Sequence, residues 1–154
     1  EKGSQASDTD LFEVKMAMQA FNSYQKTHKP NTVATELVVF DTTYKFAGTI
    51  DRIEKDGDKF CVVDFKTSQS FYPSHFWQLG AYALALTGYK QFDSDHPYTA
   101  KIVRLDKNLG NYDVAFTDGE GVDRYAGEFM RLLEAYRLIK GETNAVTDTE
   151  EAGE

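Results

Sequence analysis

The chain has 154 residues, of which 41% are hydrophobic and 14% aromatic, and its net charge is −8. This length suits one domain with a single core. Its only cysteine, Cys61, excludes an intrachain disulfide, a four-cysteine zinc site and an iron–sulfur cluster bound by four cysteines. No segment approaches the ~20 apolar residues of a membrane span, and no secretory signal opens the sequence. We therefore expect a cytoplasmic protein that is not secreted.

The acidity lies at the two ends of the sequence. Residues 1–13 carry a net charge of −3 and residues 141–154 a net charge of −5, so the residues between them sum to zero. We expect a disordered lead at 1–9, one domain at 10–140 and an acidic disordered tail at 141–154. The absence of an initiator Met suggests a trimmed segment. The overall charge neither supports nor excludes a nucleic-acid partner.

The first half of the domain reads as one helix and three strands. The helix is expected over about 10–27, with Asp8 or Asp10 as its cap. Its apolar residues recur at helical spacing: Leu11, Val14, Met18 and Phe21. Strands follow at 35–40, about 44–53 and 59–66. Short turns join these strands, which predicts an antiparallel meander.

In the second half, Pro73 opens a helix that runs to about Thr87, with Gly88 as its stop. Two strands (98–105 and 112–116) and a last helix (about 120–140) come next, the last helix after a Thr117–Glu120 capping box. The order α-β-β-β-α-β-β-α predicts an α/β domain with a mixed sheet. The strand after the middle helix is the candidate for parallel pairing through a crossover.

Three charged residues interrupt the apolar strands. Asp64 and Lys66 are two residues apart in Val62–Thr67, so both side chains leave the same face of a strand. Burying such charges costs several kcal/mol unless each finds a partner. Asp51 lies in the preceding strand, within Gly48–Ile53. Two carboxylates and a lysine on adjacent strands suit a site for a divalent cation and a water molecule.

These motifs, in this order, resemble the PD-(D/E)XK nuclease superfamily, and most of all RecB-type nuclease domains and the exonucleases of CRISPR adaptation and phage recombination. The matching parts are Glu36, Gly48–Ile53, Val63–Thr67 and Gln78–Tyr82, and the likeness covers about residues 10–105. There are two departures. The first helix offers no clear metal-facing residue, since Glu13 and His28 are not clear matches, and the four-cysteine iron–sulfur clasp of some relatives is absent.

The resemblance implies a restriction-endonuclease-like αβββαβ core, with a central mixed sheet flanked by helices, an extra strand and a C-terminal helix. It also implies a metal-dependent deoxyribonuclease, expected to be an exonuclease, in DNA recombination, repair or phage DNA metabolism. The expected cofactor is Mg²⁺ or Mn²⁺, one or two ions, without an iron–sulfur cluster. The expected partner is DNA, with no membrane; a homo-oligomer or a recombination partner protein stays open.

The resemblance also assigns roles within the site. Asp51, Asp64 and the main-chain carbonyl of Phe65 are expected to bind the cation. Glu36 is either an outer-sphere or second-metal ligand or a solvent-facing strand residue. Lys66 is expected to hold the attacking water or help to deprotonate it. Gln78 and Tyr82 share one helix face with His75 and are expected to face the scissile phosphate; the alternative is a helix face hydrogen-bonded to the sheet.

Several residues are candidates for contact with nucleic acid. Thr67 and Ser68 contact backbone phosphate or merely end the strand. A basic groove is a further option, against the alternative of scattered surface charge; its members are Lys45, Arg52, Lys101, Arg104 and Lys107. Phe71 and Tyr72 are the exposed aromatic residues that could stack on bases, whereas Trp77 is expected in the core.

Two other interpretations remain at this stage. One is a nuclease-fold module that binds nucleic acid or a protein without cutting, although such a module has no reason to keep the costly set Asp51, Asp64 and Lys66. The other is a small acidic scaffold in which Asp64–Lys66 is a structural ion pair. The scaffold predicts that divalent cations do not change the stability.

Overall fold

The structure is a computed structural model that describes residues 7–93 and 97–141. A short 3₁₀ helix, Lys90–Phe92, follows the second α-helix. The helices and strands are, in chain order, α1 (Asp8–His28), β1 (Thr32–Asp41), β2 (Phe46–Asp56), β3 (Lys59–Lys66), α2 (Pro73–Leu86), β4 (Thr99–Leu105), β5 (Tyr112–Thr117) and α3 (Gly119–Lys140).

The five strands form one mixed sheet in the order β1-β2-β3-β4-β5. β3 and β4 are parallel, and the other three neighbouring pairs are antiparallel. A parallel pair needs a long crossover connection, which α2 provides. The predicted fold class is therefore confirmed: a restriction-endonuclease-like mixed sheet flanked by helices, with the additional strand β5 and the C-terminal helix α3.

The two faces of the sheet carry different cores, because successive side chains of a strand point to opposite sides. In β3, Phe60 and Val62 pack in a cluster with α2 residues such as Leu79. Cys61 and Val63 pack on the other face with residues of α1. Because β3 is covered on both faces, the polar side chains at its end lie at the edge of a buried environment.

Two close approaches of backbone position α2. A Cβ on Gly80 would overlap the backbone nitrogen of Ala126, so this glycine lets α2 and α3 lie against each other. A Cβ on Gly48 would lie 2.5 Å from Cε1 of Tyr82, so this glycine lets the tyrosine ring lie against β2. These contacts fix the distance of α2 from both its neighbours.

Several predicted boundaries differ from the structure. Ser7, and neither Asp8 nor Asp10, caps α1: its side chain accepts from the Asp10 backbone, and the Asp10 carboxylate accepts from the Ser7 backbone. Asp118, and not Thr117, caps α3 by accepting from the backbone of Gly121. Both predictions were wrong by position because several adjacent residues had capping side chains.

The strands β1 and β2 are also longer than expected, since their pairing continues as far as Thr32 and Glu54. Most of the predicted disordered lead and all but the first residue of the predicted acidic tail lie outside the described residues. Within the two described ranges, none of the helices combines the length and hydropathy needed to cross a bilayer.

Candidate active site

Asp51 and Asp64 come together on two antiparallel strands. Arg52 of β2 pairs with Val63 of β3, and the two aspartates are the next residues along these strands. Oδ2 of Asp51 accepts a 2.8 Å hydrogen bond from the backbone N–H of Phe65. This bond ties the end of β3 to β2 and holds the Asp51 carboxylate next to Asp64.

A chain of contacts leads from Asp64 to α2. Nζ of Lys66 lies 2.8 Å from Oδ2 of Asp64. The same ammonium donates to Oε1 of Gln78 at 2.8 Å, and Nε2 of Gln78 donates to the hydroxyl of Tyr82 at 2.8 Å. The spacings of two on a strand and of four on a helix place these residues on facing surfaces. The Lys66–Gln78 bond joins this helix face to the sheet, as in the alternative interpretation, and contact with a phosphate stays a prediction.

Burial dominates the electrostatics of this cluster. The Asp64 side chain is only 4% exposed. Burial raises the pKa of its carboxyl, the Lys66 ammonium opposes the shift, and the negative charge of Asp51 adds to it. Burial and the Asp64 charge likewise raise the pKa of the Tyr82 phenol, so this group is a neutral hydrogen-bonding side chain at ordinary pH.

Oδ2 of Asp64 is buried, and its contact with Lys66 is close but poorly directed for a hydrogen bond. In the part of the chain that the structure describes, this oxygen has no well-aligned donor. A buried carboxylate oxygen without such a donor is costly, and a cation is one group that satisfies it.

The donor set fits a hard divalent cation with several water ligands. Across residues 7–93 and 97–141, no three or more His, Cys, Asp and Glu side chains form a group that could hold a metal ion by themselves. The site has two carboxylates and a neighbouring main-chain carbonyl, at Phe65. Mg²⁺ commonly binds through one or two carboxylates and keeps several waters, so Asp51 and Asp64 suffice.

Glu36 lies near Asp51 but is exposed. Its φ of 50° places it in the left-handed region, which is uncommon for a residue with a side chain and is found at functional sites more often than elsewhere. Glu36 and Asp51 both line a cleft of about 390 Å³ beside α1. The structure thus places Glu36 at the edge of the site, outside the chain of contacts.

Two residues of the predicted basic groove lie in the interior. Arg52 donates to Oε1 of Gln25 at 2.6 Å and stacks on the rings of Phe21 and Phe65. The charged neighbour of Arg52 is Glu54, which also pairs with Lys101 at 2.5 Å. This buried cluster was not predicted from the sequence. The available signal was Glu54, because a glutamate inside an apolar strand needs a cation nearby.

Two further groove candidates, Arg104 and Lys107, form ion pairs, whereas Lys45 is exposed. Arg104 pairs with Asp113 and Asp106, and Lys107 pairs with Glu13 at 2.8 Å. These contacts leave no continuous row of unpaired cations along β4. The groove stays a prediction: the structure brings Arg52 and Lys101 together at Glu54, away from a shared surface with Arg104 and Lys107.

The loop between β3 and α2 carries the remaining candidates. Thr67 is exposed, and the hydroxyl of Ser68 donates to the carbonyl of Ser70 at 2.8 Å. Tyr72 is 47% exposed and its ring touches that of His75. Burial and the Lys66 charge lower the pKa of His75, whose Nδ1 accepts from the backbone N–H of Tyr72 at 3.3 Å.

Two aromatic residues of this region are less accessible. Phe71 is half-buried against the core on the α2 face of the sheet. Trp77 is also half-buried, and its indole N–H donates to Oε2 of Glu128 at 2.7 Å. The tryptophan thus links α2 to α3, although it was expected in the core.

Comparison with solved structures shows a shared fold. A protein of Eubacterium rectale, provisionally named an exonuclease, matches with a TM-score of 0.52 and 12% identity over 84% of this chain. The match covers 55% of that protein, so the chain spans about half its length. LHK-Exo in complex with dAMP matches with a TM-score of 0.43 and 12% identity, over 92% of this chain and 78% of its own.

A comparison with curated protein sequences found no match. The sequence model of the PD-(D/E)XK nuclease superfamily, however, matches residues 6–150, which is nearly the whole chain. The match spans both aspartates, the lysine and the α2 residues that form the contact chain. The chain belongs to the PD-(D/E)XK nuclease superfamily.

Proposed function

We propose that this domain is a nuclease that hydrolyses DNA phosphodiester bonds with Mg²⁺ or Mn²⁺. The observation that carries the proposal is the cluster of buried Asp64 with half-buried Asp51 and Lys66, together with its link to Gln78. A structural ion pair would not need the second carboxylate, because each like charge at this position raises the cost of burial. Two adjacent carboxylates next to one lysine are better accounted for by a cation that both bind.

Asp51, Asp64 and the carbonyl of Phe65 would hold the cation. When bound, it would lower the pKa of a water molecule and neutralise charge on the phosphate. The Lys66 ammonium, turned towards the same space, would orient the water and stabilise the negative charge that develops on the phosphate oxygens.

Gln78 and Tyr82 position that lysine. The amide of Gln78 accepts from Lys66 and donates to Tyr82, so its orientation is fixed at both ends. Without the amide, the ammonium could turn fully onto Asp64 and leave the position where the phosphate would lie. The two α2 residues therefore support the charge distribution of the site.

The setting that we propose is DNA recombination, repair or phage DNA metabolism, and the products that we expect are those of an exonuclease. The RecB-like order of the motifs supports the setting. The provisional exonuclease name of the Eubacterium rectale protein agrees with the expected products. A recombination protein or a second copy of the chain as partner is part of the same proposal.

The test is cleavage of end-labelled single- and double-stranded DNA with Mn²⁺ or Mg²⁺, beside an EDTA control. We expect Asp64→Asn and Lys66→Ala to lose activity by a factor of roughly 10² to 10³, the usual effect of removing one group that stabilises transition-state charge. Asp123→Asn and Lys59→Ala make the same chemical changes at exposed positions and should cut normally.

Circular dichroism must first show that all four variants are folded. Release of mononucleotides from a labelled end would identify an exonuclease, whereas internal fragments would identify an endonuclease. If wild type and the site variants behave alike on every substrate, the catalytic proposal is wrong, and binding without cleavage is the function to examine.

A further inference from the structure

A largely apolar cleft adjoins the proposed catalytic cluster on the side of α3. Its volume is about 440 Å³, within the range of ~300–1,000 Å³ that small-molecule sites occupy. The rings of Phe46 and Phe129 meet edge to face, with centroids 5.1 Å apart, in its wall. Tyr136 and Leu132, which are 56% and 45% exposed, form its outer rim. Large apolar side chains are thus left open to solvent beside a polar site.

The cleft shares two residues with the contact chain of the proposed catalytic cluster. Gln78 and Tyr82 line it and also complete the contact chain that starts at Lys66. A phosphate next to the Lys66 ammonium would therefore have the cleft on the far side of these two residues. This is the direction in which the base of an adjoining nucleotide could extend.

The charge around the cleft suits a polyanion that presents a neutral ring. None of the residues that line the cleft is acidic or basic. Arg137 donates to the carbonyls of Tyr44 and Lys45, and it takes part in no ion pair among residues 7–93 and 97–141. Lys45 is exposed beside it and precedes Phe46 in the chain. Arg137 thus lies beside Phe46 at one end of the cleft, the Glu128 carboxylate that contacts Trp77 is paired with Arg124, and the interior is uncharged.

We propose that this cleft binds one unpaired nucleobase of the strand whose phosphate lies at Lys66. Aromatic side chains bind bases by stacking, irrespective of sequence, and the amide of Gln78 and the hydroxyl of Ser74 offer hydrogen bonds to a base edge. A base paired within a duplex cannot enter. The inference, which rests on the proposed nuclease function, is that the domain acts on single-stranded or frayed DNA.

The first experiment moves a single abasic site along a labelled single-stranded oligonucleotide. We expect one position, next to the bond that is cut, to raise KM by roughly 5- to 100-fold, the range expected for the loss of one stacked base. Other positions should have little effect. A uniform response along the strand would contradict the inference even if the DNA is cut.

The second experiment separates the cleft from catalysis. Binding of the intact oligonucleotide is measured by fluorescence anisotropy in EDTA, where no cutting is expected, for wild type, Tyr136→Ala and Leu138→Ala. Both residues are exposed on α3, but Leu138 does not line the cleft. We expect Tyr136→Ala to raise Kd about tenfold and to remove the abasic footprint, and Leu138→Ala to match wild type.

The two proposals can fail separately. A Tyr136→Ala binding defect in a protein that cuts nothing supports the base site and refutes the nuclease function. Cleavage with equal binding by all three proteins refutes the base site alone. If Tyr136→Ala converts a dimer to a monomer in sedimentation experiments and the footprint persists, the cleft is a contact between copies, and the inference is wrong.

Discussion

At the scale of single residues, the burial of Asp64 has an energetic cost that the proposed cation would offset. Burial raises the pKa of its carboxyl above the ordinary value, and the neighbouring Asp51 charge acts in the same direction. The folded protein therefore keeps this proton to higher pH than the unfolded chain does. Ionised Asp64 destabilises the metal-free fold: the penalty is absent below the unfolded pKa, grows between the two pKa values and is complete above the folded one.

Asp64→Asn should consequently stabilise the protein in EDTA. The amide mimics the protonated acid, so we expect Tm at pH 8 to rise by roughly 2–4 °C, the effect of ~1 kcal/mol in a domain of this size. Near pH 4 the gain should shrink, because wild-type Asp64 then binds its proton. Scanning calorimetry at both pH values measures this, with Asp123→Asn as the neutral control. A lower Tm at pH 8 would refute the sign.

The arrangement of these residues could largely be predicted from the sequence. The repeat of side-chain directions along a strand or a helix determines which residues share a face. Asp64 and Lys66 share a strand face, and Gln78 and Tyr82 share a helix face, whatever the rest of the fold does. The interior position of Arg52 was not accessible in this way. It depends on Phe21 of α1, which lies on a different element, and on the ring of Phe65 at the end of β3.

At the scale of elements, the contact between α2 and α3 can be tested by two glycines in similar helical positions. Gly80→Ala would place a methyl group against the backbone of α3, and we expect a loss of about 1–3 kcal/mol through overpacking. Gly127→Ala meets no atom within 4 Å and should stabilise the helix by about 0.5–1 kcal/mol. Urea denaturation compares the two. Equal effects would mean that the helices do not approach as closely as described.

The buried charges between α1 and the sheet give a second test at this scale. Arg52→Met removes a cation that is 8% exposed, leaves the Gln25 amide oxygen without its donor and leaves Glu54 with Lys101 as its remaining cation, so we expect a loss of about 2–3 kcal/mol. Arg104→Met breaks a pair whose acid, Asp113, is 55% exposed, and should cost at most about 1 kcal/mol. Denaturant midpoints measure both. A larger loss at Arg104 would reverse this assignment.

Element type and order could be predicted because hydrophobic periods and turn residues are local. Element ends were harder. Ser7, Asp8 and Asp10 can all cap a helix, and the choice among them depends on the reciprocal bond that Asp10 forms with Ser7. The extra length of β1 and β2 likewise follows from mutual pairing, which neither segment encodes alone.

At the scale of the whole molecule, metal binding should appear as global stability. A ligand that binds only the folded state adds about 2.7 kcal/mol at a concentration of 100 Kd. We expect Mn²⁺ to raise Tm of the wild-type protein and of Asp123→Asn, but not that of Asp51→Asn or Asp64→Asn. Melting curves with Mn²⁺ and with EDTA measure this. Equal curves for the wild type would favour the structural ion pair.

The parallel pairing of β3 with β4 also has a consequence for the order of folding. Short turns join β1 to β2 and β2 to β3. β4, in contrast, pairs with β3 only after the crossover of residues 67–98. Pairings distant in sequence form late because loop closure must come first. Every proposed catalytic residue lies between positions 51 and 82, before β4 has been synthesised. All of the proposed catalytic side chains therefore precede, in the order of synthesis, the strand that pairs with β3 beside them.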